Sequence, residues 1–299
     1  MRALARGGRL PSLRPVEAST QNLSPPDPPE LPAGAARFPA WPPWFALVGF
    51  LVGLSGTLLF AIVLGVVAML FGADVDGESP AIVVIGTLAQ GLAFVATAIF
   101  FASRVSKPRA WHFGLRGARF WPALGWAAVG MVTFYFVTAI YGVLVQPDAE
   151  QETVEALGGD EGTFGLIIAG LMVIAVAPVV EEIFFRGFFY RALRSRFSIW
   201  IAAGMDGLLF GLIHYSGDGV DGLLILPPLA LLGVVFCLVY ERTGSLFPVI
   251  GMHAFNNAVA YAVQAEDGWQ VSVVLGPLVL GACALAPRIL PAAPRPAPA

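Results

Sequence analysis

Three short stretches of this chain carry side chains able to do hydrolytic chemistry, and each lies in or beside a long apolar run. The first is Glu181-Glu182-Ile183-Phe184-Phe185-Arg186. Glu182 and Arg186 are four residues apart, so on a helix they share a face and pair. Glu181 sits about 100° round the helix from Glu182 and is free to face a cavity. The second stretch, Phe210-Gly211-Leu212-Ile213-His214, puts an aromatic ring and an imidazole on one face, and Asp206 extends that face by a turn. The third, His253-Ala254-Phe255-Asn256-Asn257, projects an imidazole and an amide together. One unpaired carboxylate, two imidazoles and an amide make a hydrolytic set. The carboxylate acts as general base on water, the histidines ligate a metal or move protons, and His and Asn donate to an oxyanion.

Each element also has a bland explanation. A Glu pair beside Arg186 and Arg191 suits an interfacial charge cluster, a lone His is often a satisfied core residue, and Asn and His tie helices together. Their joint occurrence argues against coincidence, because ionisable groups inside apolar spans cost a few kcal/mol and mark function by default. Of the three histidines, His112 stands apart, in a basic loop beside Trp111 and Phe113 where an interfacial position is expected.

The elements that must position these groups are membrane helices. Of 299 residues, 57% are hydrophobic and 12% charged, and the mean hydropathy is +0.77. A soluble domain carries about 25% charged residues, so an ordinary cytosolic enzyme, a disordered chain and a nucleic-acid binder are excluded. With a formal net charge of -3, the overall balance names no partner. Cys237 and Cys283 lie in apolar runs without metal-ligand spacing and read as small buried hydrophobes. The excess of Arg over Lys, with abundant Ala, Gly and Pro, suggests a GC-rich bacterial genome.

A spanning helix needs about 20 mostly apolar residues. Eight stretches qualify: 44–72, 81–103, 120–145, 163–185, 198–214, 223–240, 245–263 and 271–287. The fifth is short and contains Asp206, so it is the weakest. The expected fold is all-α, a polytopic bundle of about eight transmembrane helices over 44–290, with a motif core at 163–265. Residues 1–43, rich in Pro and Arg, and 291–299 are expected to be disordered tails. All 17 Lys and Arg fall in alternate connections, and the connections between those hold only acids. The positive-inside rule then puts both termini in the cytoplasm of a multi-pass cell-membrane protein.

The motifs Glu181-Glu182 with Arg186, Phe210 with His214, and His253 with Asn257, in this order, resemble the CPBP family. These are the CAAX-processing and bacteriocin-processing intramembrane proteases, related to the Ras-converting prenyl endopeptidase. The Phe185-Arg186-Gly187 context and the turn Arg242-Thr243-Gly244-Ser245-Leu246 are also similar, and the likeness covers about 163–265. It implies hydrolysis of a peptide bond in a membrane protein or peptide substrate at the lipid bilayer. Glu181 and His214 would activate the water, His253 and Asn257 would stabilise the oxyanion, and Glu182, Arg186 and Phe210 would orient them. The family has been described both as metalloproteases and as metal-free glutamate enzymes. A divalent metal such as zinc, if used, would take Glu181, His214 and His253. These come one per helix, unlike the paired His-x-x-x-His of common zinc sites, and the residue types lean toward glutamate-activated water. The competing expectation is a non-catalytic adaptor or bacteriocin-immunity protein retaining the fold. A transporter is disfavoured because internal repeats are absent.

One feature of straight helices is awkward. His253 would lie roughly 12 Å from its helix start and His214 about 24 Å from its own. A kink at Gly204 or Gly207, or a re-entrant start, is expected to level them.

Overall fold

In a bilayer, backbone N–H and C=O groups find no water, so apolar segments satisfy them internally as helices. The computed structural model describes residues 40–70, 79–147, 153–215, 217, 219–265 and 268–290. The tails expected to be disordered fall outside these, apart from residues 40–43 in the first. Eight principal helices follow: α1 Trp44–Leu70, α2 Pro80–Ser103, α3 Phe120–Val145, α4 Thr163–Arg194, α5 Ile199–Leu212, α6 Leu226–Thr243, α7 Leu246–Gln264 and α8 Gln270–Leu285. No strand occurs among the described residues. Seven of these helices, counting α6 with the short Gly219–Leu224 helix before it, are long and apolar enough to cross a membrane. Exposed Leu, Val, Ile and Phe cover α1, α3 and α8, as helices facing lipid require. The chain is a polytopic all-α membrane protein.

The fifth expected span is the exception to the count. α5 has 14 residues, about 21 Å of helix against roughly 30 Å of hydrocarbon. It packs antiparallel on α6: a Cβ on Gly207 would meet Ala230 O at 2.5 Å and Val234 N at 2.8 Å, and one on Gly211 would meet Leu226 O at 3.0 Å. α5 runs as one uninterrupted helix through Gly204 and Gly207, from Ile199 to Leu212. Gly207 serves close backbone approach, with α6 replying at Gly233, whose Cβ would stand 2.7 Å from Gly207 Cα.

Helix α4 corrects a further expectation. It continues nine residues past Phe185 to Arg194. Phe184, Phe185, Phe188, Phe189 and Tyr190 are all buried in the core. Arg194 stays in that core by pairing with Glu241 of α6 at 2.8 Å, and Tyr190 donates to the same carboxylate at 2.9 Å. Arg191 lies over the Trp41 ring at 4.9 Å. α4 also contains two π-helical stretches, Leu171–Val176 and Phe185–Tyr190, which bracket the Glu181-Glu182 pair.

The expected turn at Arg242–Leu246 is present. Gly244, at φ 64°, ends α6, and Ser245 caps α7 by accepting from Phe247 N at 3.3 Å. The basic loop before α3 staples this turn. Arg116 Nε donates to Gly244 O at 2.8 Å, and Ser245 Oγ donates to Arg116 O at 2.6 Å. These contacts fix where α7, and so His253, begins.

Candidate active site

The polar groups collect where α4, α5, α6 and α7 meet. Glu182, Arg186 and Asp206 have 0% side-chain exposure. The expected i,i+4 pair forms, with Arg186 Nη1 donating to Glu182 Oε1 at 2.8 Å. Arg186 also donates from Nη2 to Gly233 O at 3.2 Å, and its Nε lies 3.4 Å from Asp206 Oδ1. The guanidinium carbon stands 4.5 Å from the Phe210 ring centroid and 5.1 Å from that of Phe236. A buried cation is tolerable only when paired and bonded in this way. Asp206 further accepts the Cys237 thiol at 3.1 Å; the chain's sequence showed Cys237 only as a buried apolar group.

Glu182 does more than hold Arg186. Its Oε1 also accepts from His253 Nδ1 at 2.8 Å. A carboxylate can only accept, so the proton sits on Nδ1 and the tautomer is fixed. Nε2 then faces Glu181 Oε2 at 3.8 Å, beyond direct hydrogen-bond length. Glu181 retains 26% side-chain exposure, while its Oε2 is buried without a hydrogen-bond partner in the protein. The two adjacent glutamates therefore face the two nitrogens of one ring.

His214 follows α5 in a turn, with its Nδ1 2.7 Å from Phe210 O. The carbonyl accepts, so Nδ1 carries the proton here as well, and Nε2 is left bare. Phe210 stands between the two imidazoles, 4.8 Å from the His214 ring and 5.7 Å from His253. Through Phe210, the last turn of α5 thus reaches the His253 ring.

Asn257 Nδ2 donates to Val173 O at 2.9 Å. That carbonyl is free for a local reason. In the first π-helical stretch Ala177 N bonds Met172 O, five residues back. Val173 O would then await the N–H of residue 178, which is proline and has none. Asn257 supplies the missing donor. Its neighbour Asn256 accepts from Tyr135 of α3 at 3.3 Å.

Of the four expected catalytic residues, Glu181 and His253 face each other directly. His214 joins them through Phe210, and Asn257 is tied to the α4 backbone. Among the described residues no three His, Cys, Asp or Glu side chains approach closely enough to hold a metal ion. The candidate set Glu181, His214 and His253 does not fit a metal as arranged. A groove of about 1110 Å³ between α3, α7 and α8 is lined by apolar residues such as Met131, Met252 and Phe255. It includes none of these four residues.

Comparison with known proteins supports the domain rather than the whole chain. An Escherichia coli protein described as an uncharacterized 24.3 kDa protein is 28% identical over 130 residues, 43% of this chain and 58% of that protein. The match thus spans little more than half of that relative's length. No solved structure matches. Residues 163–259 match the family described as type II CAAX prenyl endopeptidase Rce1-like. The matched stretch holds every residue of the polar cluster from Glu181 to Asn257, and over it the chain carries a domain of the Rce1-like family.

Proposed function

We propose that the chain is an intramembrane endopeptidase that hydrolyses a peptide bond of a membrane-associated substrate with a Glu181-activated water. The observation that carries this reading is the 3.8 Å separation of Glu181 Oε2 and His253 Nε2. Both atoms are acceptors when His253 keeps its proton on Nδ1. A water donating one hydrogen to each would turn a lone pair outward, toward a substrate carbonyl.

In the reaction, the water oxygen bonds to the carbonyl carbon and its proton passes to Glu181. The carbonyl oxygen becomes an oxyanion. As the C–N bond breaks, Glu181 returns the proton to the leaving amine. His214 is the candidate to donate to the oxyanion, in its imidazolium form, since its Nδ1–H is committed to Phe210 O. The same limit applies to His253, which takes an oxyanion only as imidazolium because Glu182 holds its Nδ1–H. Asn257 has a second amide hydrogen beyond the one given to Val173 O. No step is assigned to a metal. The basic connections would face the cytoplasm of the cell membrane, with both termini on that side.

The test compares new protein N-termini in membranes of cells carrying the wild-type chain or Glu181→Gln at equal folded levels. Termini present with the wild type and absent with the variant are the expected result. Identical termini in both would favour the non-catalytic adaptor.

A further inference from the structure

Asp206 lies outside the set of residues from which the chemistry was read, yet it is fully buried and ion-paired to Arg186. Its position explains an asymmetry at Glu182. Oε1 of Glu182 takes two donors, Arg186 Nη1 and His253 Nδ1, each at 2.8 Å. Oε2 is buried and takes no hydrogen bond from the protein. An arginine alone with a carboxylate prefers a two-point fork, one N–H to each oxygen. Here the guanidinium makes one contact to Glu182. Its other edges go to Gly233 O at 3.2 Å and toward Asp206 Oδ1 at 3.4 Å.

We propose that Asp206 is a positioning residue for His253: its carboxylate, 3.4 Å from Arg186 Nε, attracts that edge of the guanidinium by charge, without a hydrogen bond to it, and so prevents the fork from closing on Glu182, which leaves Glu182 Oε1 in place to accept the His253 Nδ1–H. Four groups from three helices form one line, Asp206 of α5, Arg186 and Glu182 of α4, and His253 of α7, with Cys237 of a fourth helix, α6, bonded to Asp206. The rings of Phe210 and Phe236 flank both the guanidinium and the imidazole, so a shift of the guanidinium is felt at His253. Without Asp206, Arg186 has a single anionic partner. It would then turn to take both Glu182 oxygens and rotate the carboxylate away from the imidazole. His253 would revert to the mixture of tautomers that an unheld ring adopts. The importance of that tautomer for hydrolysis rests on the function proposed above, but its existence does not.

The test reads the ring directly. The full chain is labelled with ring-¹⁵N histidine in detergent micelles; only three histidines are present, and His253 is assigned by its absence in His253→Gln. The wild type is expected to show a downfield Nδ1–H resonance for His253, bonded to carboxylate. Asp206→Leu should lose most of that resonance while the His214 Nδ1–H signal, held by a backbone carbonyl, is retained. Asp206→Asn, near in shape with a weaker acceptor, should fall between them and serves if the Leu variant does not fold. A Tyr261→Phe variant, altered in the separate core cluster of α4 and α7, controls for general loss of stability and should leave the resonance intact. An unchanged His253 signal in either folded Asp206 variant overturns the proposal, as does its absence in the wild type. Proteolysis is not read, so an active Glu181→Gln protein would defeat the proposed function and leave this result standing.

Discussion

Glu182 accepts the Nδ1–H of His253 at 2.8 Å, across two helices and 71 positions of sequence. The contact shows how a residue expected to pair with Arg186 and to orient the site also sets the face His253 offers to Glu181. The adjacent glutamates thus divide the work on one imidazole, and their variants should separate.

Glu181→Gln removes the general base and leaves the buried pairs intact. Peptide-bond hydrolysis should fall by about 10²-fold or more, with the unfolding midpoint in detergent unchanged. Glu182→Gln leaves Arg186 facing Asp206 alone, and should lower stability by roughly 3–5 kcal/mol. Surviving folded protein should also be slow, because the Nδ1–H of His253 loses its anionic acceptor. A fully active Glu181→Gln protein, or a Glu182→Gln protein as stable as wild type, would contradict this division.

What the sequence made legible was local. The Glu182–Arg186 pair follows from a four-residue spacing, and most helix limits follow from apolar runs ended by charge, Gly or Pro. Asp206 was visible as an anomaly, but not as a partner of Arg186, because that contact joins two helices. The π-helical stretches were not legible. A register change of one residue depends on packing as well as composition, and Pro178 marks it only once the bond from Ala177 to Met172 is known. His214 looked too deep beside His253 because helices were aligned by their starts. Crossing helices need not start level, and Phe210 shows that these do not align so simply.

Gly233 gives a test of the crossing itself. A Cβ there would stand 2.7 Å from Gly207 Cα, 3.2 Å from Phe210 Cβ and 3.3 Å from Arg186 Nη2. Gly233→Ala should force α5 from α6 and push the guanidinium from its carbonyl contact, at a cost of about 1–3 kcal/mol. Gly204→Ala, on the same helix as Gly207 but with open space around its Cβ, should be neutral or slightly stabilising. Thermal unfolding of the two variants in one detergent decides, and equal midpoints would show that the close approach is dispensable.

His112 supplies a pH dependence outside the spans. It is buried rather than merely interfacial, packed edge-on to Trp111 at 4.2 Å. Burial, with help from Arg191 and Arg109, pushes its pKa down from 6.5 to about 4. Below pH 6.5 the unfolded chain therefore binds a proton that the folded chain refuses. Its contribution is fully present above pH 6.5 and is lost as pH falls toward 4, by no more than about 3 kcal/mol. His112→Gln, which cannot titrate, should flatten this part of the stability profile. If wild type and variant lose stability in parallel between pH 7 and 4, His112 does not carry the effect.

The tether between Asn257 and Val173 makes the sharpest prediction about the fold around the site. Asn257→Ala leaves Val173 O without its donor in a low-dielectric setting, which should cost about 1–3 kcal/mol. The carbonyl lacks a backbone donor because residue 178 is proline and the helix there runs in the five-residue register. Pro178→Ala restores an N–H at that point. Whether the helix keeps its π register or relaxes to the α form, residue 178 or residue 177 then reaches Val173 O. The cost of Asn257→Ala should consequently shrink in the Pro178→Ala background, giving a coupling of at least about 0.5 kcal/mol between two side chains on different helices. Stabilities of the four proteins in the double-mutant cycle measure it. Strict additivity would mean that Asn257 does not substitute for the missing backbone donor.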